Sequence, residues 1–251
     1  MITFWGCLML LFGLHVQLCA QIIKVDKDWI ESDSIKDWQG IMSVNVDNIK
    51  NTIAIFQMTG DVQISHNWKN DMVLSVSNLR LLYEEKEPLE NAGFQHIRYI
   101  KTIDSTFSLE GFTQIQFDQL LKINTRWVTG IGLRYTIFDR EKSKLYLRPG
   151  YMFEYEEEDS TGIIHNHHRL SNYITLRLKS SNRIKFYFTI FYQPRTGDFS
   201  DFRLSPAWAI EINIIKNLTF NISGDVRYDS SPVAGVNKTT YMLTNGLGWR
   251  F

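Results

Sequence analysis

The sequence predicts an all-β chain that folds as a transmembrane antiparallel up-and-down β-barrel of about 12 strands. Three observations carry this prediction. Segments of alternating apolar and polar residues follow one another along most of the chain. Residues 1–20 have the pattern of an export signal, and the chain ends on an aromatic residue, Phe251. Together these features are typical of barrels in the bacterial outer membrane.

The composition excludes three other classes of protein. With 44% hydrophobic residues and a mean hydropathy of −0.20, the chain is too polar for a bundle of membrane helices. Aromatic residues make up 14%, which is more than a disordered chain carries. The 27 basic and 27 acidic residues cancel, whereas a nucleic-acid binder would show a basic excess. We therefore expect no nucleic-acid partner.

Residues 1–20 are predicted to be a secretory signal peptide that is cleaved after Ala20. An apolar run covers residues 4–14, although no basic residue precedes it. An uncleaved anchor helix is the alternative, but the run is short for a membrane span. Both cysteines, Cys7 and Cys19, lie in this segment, so the mature chain would have no disulfide.

The remaining chain divides into a short polar segment and the predicted barrel. Residues 21–37 would form a short periplasmic N-terminal segment, either a tail or a plug at the mouth of the barrel. The barrel would cover residues 38–251. In residues 183–192, for example, every second residue is apolar, which is the strand pattern because successive side chains point to opposite faces. The predicted strands cover residues 38–48, 52–66, 71–84, 94–103, 106–118, 122–138, 144–157, 168–179, 183–194, 201–214, 217–229 and 238–251.

The predicted connections alternate in length. Four long polar connections, at residues 84–93, 156–167, 194–201 and 230–238, fall on the same end of an up-and-down meander. They carry many acidic residues, which suits solvent. The turns on the opposite end are mostly tight. Long loops on one end and short turns on the other are typical of an outer-membrane barrel, with the long loops outside the cell.

Lipid exposure decides which face of each strand points outward. An Arg or Lys at the bilayer midplane costs about 2–4 kcal/mol, so the apolar faces must meet lipid and the charged faces must line the lumen. Two interpretations of this lining stay open: ion pairs that fill the lumen, or a narrow hydrated path. The charged residues predicted to face the lumen are Glu110, Arg126, Arg134, Arg148, Glu154, Arg177, Lys185, Arg203, Glu211, Asp225 and Arg227.

The last residues resemble a recognition signal for assembly. Leu247, Trp249 and Phe251 share one face of the final strand. An apolar face that ends on an aromatic residue resembles the C-terminal signal by which outer-membrane barrels are recognised by their assembly machinery.

Candidate chemical sites are few, and we predict no catalytic, cofactor-binding or metal site. His165, His167 and His168 follow an acidic run and could hold a divalent metal ion, but their spacing matches no closed site. A lipase-like or deacylase-like barrel would need a Ser activated by a His. The close pairs of these residues would point to opposite faces of a regular strand. These pairs are Ser65–His66 and His168–Ser171.

A series of short motifs runs through the second half of the chain. They are RWVTGIGLRY at 126–135, LRPGYMFEYE at 147–156, HRLS at 168–171, FYQP at 191–194, DFRL at 201–204 and YDSSP at 228–232. The order of these motifs resembles the DUF481 family, the YdiY-like salt-induced outer-membrane proteins of Gram-negative bacteria. The resemblance covers residues 106–251 and is weak over residues 38–103. It implies an outer-membrane location and a barrel shape, and it carries no enzyme activity or functional residues.

We therefore expect a non-enzymatic outer-membrane barrel that acts as a narrow channel or as a structural component of the envelope. An outer-membrane enzyme that modifies lipid is the alternative, and a soluble periplasmic barrel that holds a ligand is a third possibility. Expected partners are outer-membrane lipid, lipopolysaccharide and the barrel-assembly machinery, with a monomeric chain and no cofactor.

Overall fold

The computed structural model describes residues 38–50, 54–69, 71–85, 87–180, 183–215 and 218–249. These residues form a single antiparallel sheet without helices. The described part of the chain therefore has no helix that could cross a membrane. The predicted signal peptide, the segment 21–37 and Phe251 lie outside the described residues.

Fourteen strands follow one another along the chain. They are β1 (Trp38–Lys50), β2 (Ala54–Trp68), β3 (Asp71–Glu84), β4 (Glu87–Thr102), β5 (Phe107–Asp118), β6 (Ile123–Arg140), β7 (Ser143–Arg148), β8 (Gly150–Glu158), β9 (Ile164–Leu170), β10 (Asn172–Lys179), β11 (Ile184–Arg195), β12 (Asp198–Ile215), β13 (Leu218–Asp229) and β14 (Thr239–Trp249).

Two crossings of the sheet are each built from two consecutive strands. Only Pro149 separates β7 from β8, and only Ser171 separates β9 from β10. Proline has no N–H to donate to a neighbouring strand, so the ladder is interrupted at Pro149. Both β7 and β8 pair with β6, which shows that they continue along the same line. With each pair counted once, the fourteen strands form twelve crossings, as the alternation predicts.

Each crossing pairs antiparallel with the next one, in the order of the sequence. We call the end where β1 begins and β14 ends the terminal end, and the opposite end the loop end. A 2.9 Å hydrogen bond from Tyr173 on β10 to Glu110 on β5 shows that the sheet is strongly curved. These strands are three places apart in the sheet, which is about 14 Å if the sheet were flat.

Two of the four predicted long connections are wrong. β3 ends at Glu84 and β4 begins at Glu87, so the predicted loop 84–93 is a tight turn followed by strand. Its Glu85 has φ of 49° and donates a 2.9 Å backbone hydrogen bond to Ala54. The predicted loop 194–201 is the hairpin between β11 and β12. The physical reason is that polarity marks where a strand leaves lipid, whereas the ladder of hydrogen bonds continues into solvent.

Of the other two predicted loops, one is confirmed and one is shorter than predicted. The connection at 230–238 is confirmed, since β13 ends at Asp229 and β14 begins at Thr239. The connection predicted at 156–167 shrinks to 159–163. As a result Glu156 and Glu158, which were predicted to be exposed in a loop, lie on β8 with their side chains buried on the inward face.

The two faces of the sheet invert the pattern of a soluble protein. On β5, Glu110, Gln114 and Asp118 are buried on the inward face, whereas Leu109 and Ile115 are exposed on the outward face. A soluble barrel that holds a ligand would place its apolar side chains inward. The observed arrangement suits lipid outside and polar contacts inside.

Aromatic side chains ring the outward face at two levels. Near the terminal end, His66 stacks between Trp38 and Trp68, with ring centroids 4.3 and 5.2 Å apart. Near the loop end, Phe56 packs against Tyr83. Phe56 and Trp68 lie about 30 Å apart along the barrel axis, given a rise of ~3.3 Å per residue and a strand tilt of ~40°. This separation matches an apolar band between two membrane interfaces.

Phe188→Arg should prevent assembly in the membrane, because Phe188 lies on the outward face midway along β11 and the change places a charge in lipid at a cost of about 2–4 kcal/mol. Ala207→Arg is the matched control. Ala207 points inward on the neighbouring β12, opposite Asp225 of β13, so the new guanidinium gains an acidic neighbour. The heat-modifiable band of the membrane fraction measures assembly, and equal yields for the two variants would contradict this assignment of faces.

Candidate functional site

The inward face carries the candidate site, which is built from charged residues on neighbouring strands. All eleven charged residues that we predicted for the lumen lie on the inward face, because each shares the strand alternation of a buried inward neighbour. They belong to two clusters and to a more hydrated wall. The clusters also include residues that the sequence analysis did not select.

The first group, the loop-end cluster, is centred on the Glu154 carboxylate of β8, which is 0% exposed. Arg126 Nε lies 2.5 Å and Arg169 Nε 2.6 Å from its oxygens, and Arg203 of β12 also contacts it. Glu156 accepts a 3.0 Å hydrogen bond from Arg203. Four arginines thus meet four carboxylates, so the cluster is electrically balanced. Its members are Arg126, Glu154, Glu156, Arg169, Arg195, Asp201, Arg203 and Asp229.

The second group, the terminal-end cluster, is centred on Glu110 of β5. Arg134 Nη1 lies 3.3 Å, Arg148 Nε 3.4 Å and Arg98 Nη1 3.8 Å from the Glu110 carboxylate. Tyr173 donates to both carboxylate oxygens at 2.9 and 3.0 Å. Among the described residues three arginines face one carboxylate, which leaves two positive charges in excess there.

A layer of apolar side chains separates the two clusters inside the barrel. Phe112, Val128, Met152 and Phe191 pack together with the ring of Tyr173. Each is buried, and each points inward from a different strand. This part of the lumen, along β5 to β11, is therefore dry and filled.

The inward charges on the other side of the lumen keep contact with water. The Lys185 side chain on β11 is 26% exposed and that of Asp225 on β13 is 24% exposed, against 0% for Glu110 and Glu154. Small inward residues such as Ala209 lie between them on β12. We call this inward surface of β11, β12 and β13 the hydrated side.

The 230–238 connection, which we call the loop-end strap, bends across the mouth of the barrel. The Ala234 carbonyl accepts a 2.8 Å hydrogen bond from Lys122 Nζ. Lys122 lies in the turn between β5 and β6, which are several strands away from β13 and β14 in the sheet. Gly235, with φ of 83°, makes the bend that this contact requires. Beneath the strap is a cavity of about 40 Å³, whose lining includes Glu156 and Arg203.

Comparison with known proteins decides the family. The model of the family described as "Protein of unknown function, DUF481" matches residues 56–251. The chain belongs to the DUF481 family. A search of the curated proteins finds no match.

The fold of this DUF481 protein is similar to that of solved porin structures. A solved structure of the NanC porin is similar, with a TM-score of 0.51 and 11% identity over 85% of this chain and 98% of that chain. A KdgM porin in complex with disordered oligogalacturonate has a TM-score of 0.46 and 13% identity, over 84% of this chain and 99% of that chain. Uncomplexed KdgM porin has a TM-score of 0.45 and 11% identity, over 84% and 99%.

The three candidate metal-binding histidines do not share one face. β9 begins at Ile164, so His165 and His167 are strand residues that point inward, and not members of an exposed loop. His165 Nε2 lies 2.9 Å from a Glu158 oxygen. His168 points outward and packs against Tyr151. Among the described residues no group of three or more metal-ligating side chains gathers.

Neither candidate Ser–His pair comes together in this DUF481 protein. Ser65 is buried on the inward face, whereas His66 lies in the outward aromatic ring. Ser171 Oγ accepts a 3.2 Å hydrogen bond from Arg148, whereas His168 points outward. Neither of these two pairs therefore supplies the Ser–His contact that the lipid-modifying alternative needs.

The predicted C-terminal assembly signal is described only in part. Leu247 and Trp249 lie on β14, opposite Phe220 and Leu218 of β13. Phe251 lies outside the described residues. Recognition of this segment by the assembly machinery stays a prediction.

Six further residues complete the two clusters and are absent from the predicted lumen residues: Arg98, Glu156, Arg169, Arg195, Asp201 and Asp229. Their signal is the same alternation that revealed their neighbours. Asp201, for example, precedes Arg203 by two residues and therefore shares its face. The predicted loop at 194–201 conceals this alternation, because it includes Asp201.

Glu154→Gln should lower the free energy of unfolding by about 3 kcal/mol or more, because it leaves three buried guanidiniums without their shared carboxylate. Glu157→Gln is the matched control on the same strand. The Glu157 side chain points outward and meets Asn124, so its loss should have little effect. Urea unfolding of the refolded barrel in detergent measures both, and similar midpoints would show that the cluster does not stabilise the fold.

Proposed function

We propose that this protein is a non-enzymatic channel of the outer membrane that passes small hydrophilic solutes along the hydrated side of its lumen. The observation that carries the proposal is the unequal exposure of the inward charges. Lys185 and Asp225 retain water contact, whereas Glu110 and Glu154 have none. A path through the barrel would therefore run beside β11 to β13, with the two clusters on the opposite side of the lumen.

The proposed path is narrow for two structural reasons. The two clusters and the apolar layer fill the lumen along β5 to β11. The loop-end strap then restricts the mouth, since it is tied to Lys122. This geometry does not fit a wide pore that passes large solutes. Should the path be closed, the rigid ion-paired wall would suit a structural component of the envelope.

The location and the partners belong to the same proposal. The porin fold and the outward apolar band support an outer-membrane location. The chain would be exported through the predicted signal peptide, residues 1–20, which is then cleaved. The chain would meet outer-membrane lipid and lipopolysaccharide along its sides and would act as a monomer. The barrel-assembly machinery would insert it, with its C-terminal strand as the recognition element.

Refolded protein should conduct ions in a planar bilayer, and a cysteine at Ala209 should make this conductance sensitive to a bulky hydrophilic thiol reagent. Ala209 lies on the hydrated side, so the bound reagent would narrow the path. Val128→Cys is the control, because Val128 is 1% exposed in the apolar layer and should react little. Absence of conductance would favour a structural role. Block at Val128→Cys without block at Ala209→Cys would place the path elsewhere.

The loop end should face the outside of the cell. A cysteine at Ser160, in the exposed turn between β8 and β9, should be labelled on intact cells by a reagent that does not cross the outer membrane. A cysteine at Ser105, in the exposed connection between β4 and β5 at the terminal end, should be labelled only after lysis. The reverse pattern would show an inverted barrel, and labelling of both in a soluble fraction would refute the membrane location.

A further inference from the structure

The terminal-end cluster carries more positive charge than its own carboxylate neutralises. Among the described residues, Arg98, Arg134 and Arg148 surround the single carboxylate of Glu110. Arg134 also stacks over the Tyr146 ring, at 5.4 Å from its centroid. The loop-end cluster shows no such excess. Of the two clusters, only the terminal-end one therefore attracts an additional anion.

Two of these arginines also have buried N–H groups that make no hydrogen bond to the described residues. Arg148 is 2% exposed; its Nε lies 3.4 Å from the Glu110 carboxylate, whereas its Nη2 makes no hydrogen bond to a described residue. Arg98 Nε is likewise buried without a hydrogen bond to a described residue. A buried charged donor without an acceptor is costly, so these nitrogens favour binding of an oxygen-bearing group. The donors and the charge excess point to the same place by independent observations.

The cluster itself shows which chemical group it accepts. Glu110 already presents a carboxylate to the three guanidiniums, and Tyr173 adds a hydroxyl donor. Guanidinium groups bind carboxylates through two parallel hydrogen bonds, which a spherical anion cannot accept. A second carboxylate therefore suits the unused donors better than chloride does.

We propose that the terminal-end cluster is a binding site for small carboxylate anions, and that it makes the channel prefer these anions to cations. The inference rests on the proposed channel function and names its substrate class. Access comes from the hydrated side, because the Arg134 side chain is 13% exposed and the inward surface continues toward β11 with the exposed ion pair between Lys185 and Glu211. The site lies between the apolar layer and the terminal end.

The reversal potential in a gradient of potassium acetate tests the preference. Wild-type channels should pass acetate over potassium by about threefold or more, as basic rings in anion pores do. Arg134→Gln and Arg148→Gln should bring this ratio close to one. Lys101→Gln removes one positive charge from the exposed outward face of the same end and should leave the ratio unchanged. Arg148→Lys should keep the preference for anions but lose the preference for acetate over chloride.

A binding measurement separates failure of the inference from failure of the proposed function. Potassium acetate should raise the temperature at which the folded wild-type band is lost, relative to potassium chloride at equal ionic strength, and this shift should vanish in Arg148→Gln. A conducting protein without anion preference overturns the inference and leaves the channel. A protein that does not conduct but shows the acetate shift keeps the site and loses the channel. Equal stabilisation by chloride, or no shift in either salt, refutes the carboxylate site.

Discussion

An ionised side chain cannot face hydrocarbon, and the organisation of this barrel follows from that constraint. Because side chains alternate along a strand, apolar residues on the lipid side leave the charged residues to the inside. Once inside, each charge must find a partner or water. Glu110 and Glu154 pair with arginines away from water, whereas Lys185 and Asp225 pair with Glu211 and Arg227 and also keep contact with water. The two clusters and the hydrated side thus stabilise inward charges in two different ways.

The ion pairs and hydrogen bonds of the two clusters connect strands that do not pair through their backbones. Arg203 on β12 reaches Glu154 and Glu156 on β8, and Tyr173 on β10 reaches Glu110 on β5. Arginine suits this task better than lysine, since its planar fork contacts two carboxylates at once and stays charged when buried. In a mature chain predicted to have no disulfides, such cross-lumen contacts would stiffen the barrel where an exported protein often uses cross-links.

The alternation was enough to predict the twelve crossings, because a period of two is imposed by backbone geometry alone. It failed at the loop end, where β4, β9 and β12 begin several residues before the predicted positions. Beyond the lipid both faces become polar, so the pattern fades although the backbone ladder continues. The grouping of Arg98 with Glu110, or of Arg169 with Asp201, depends on curvature and register across several strands, which no local pattern contains.

The difference between the two clusters shows how one barrel could combine rigidity with passage. Balanced charges, as around Glu154, neutralise one another and bind the strands without attracting further ions. An excess of arginine, as around Glu110, stabilises less by itself, because like charges repel across a short distance. A wall that only stiffened the barrel would be more stable with balanced charge in both places. The excess at the terminal end is therefore better explained by an anion that completes the cluster than by the stability of the empty barrel.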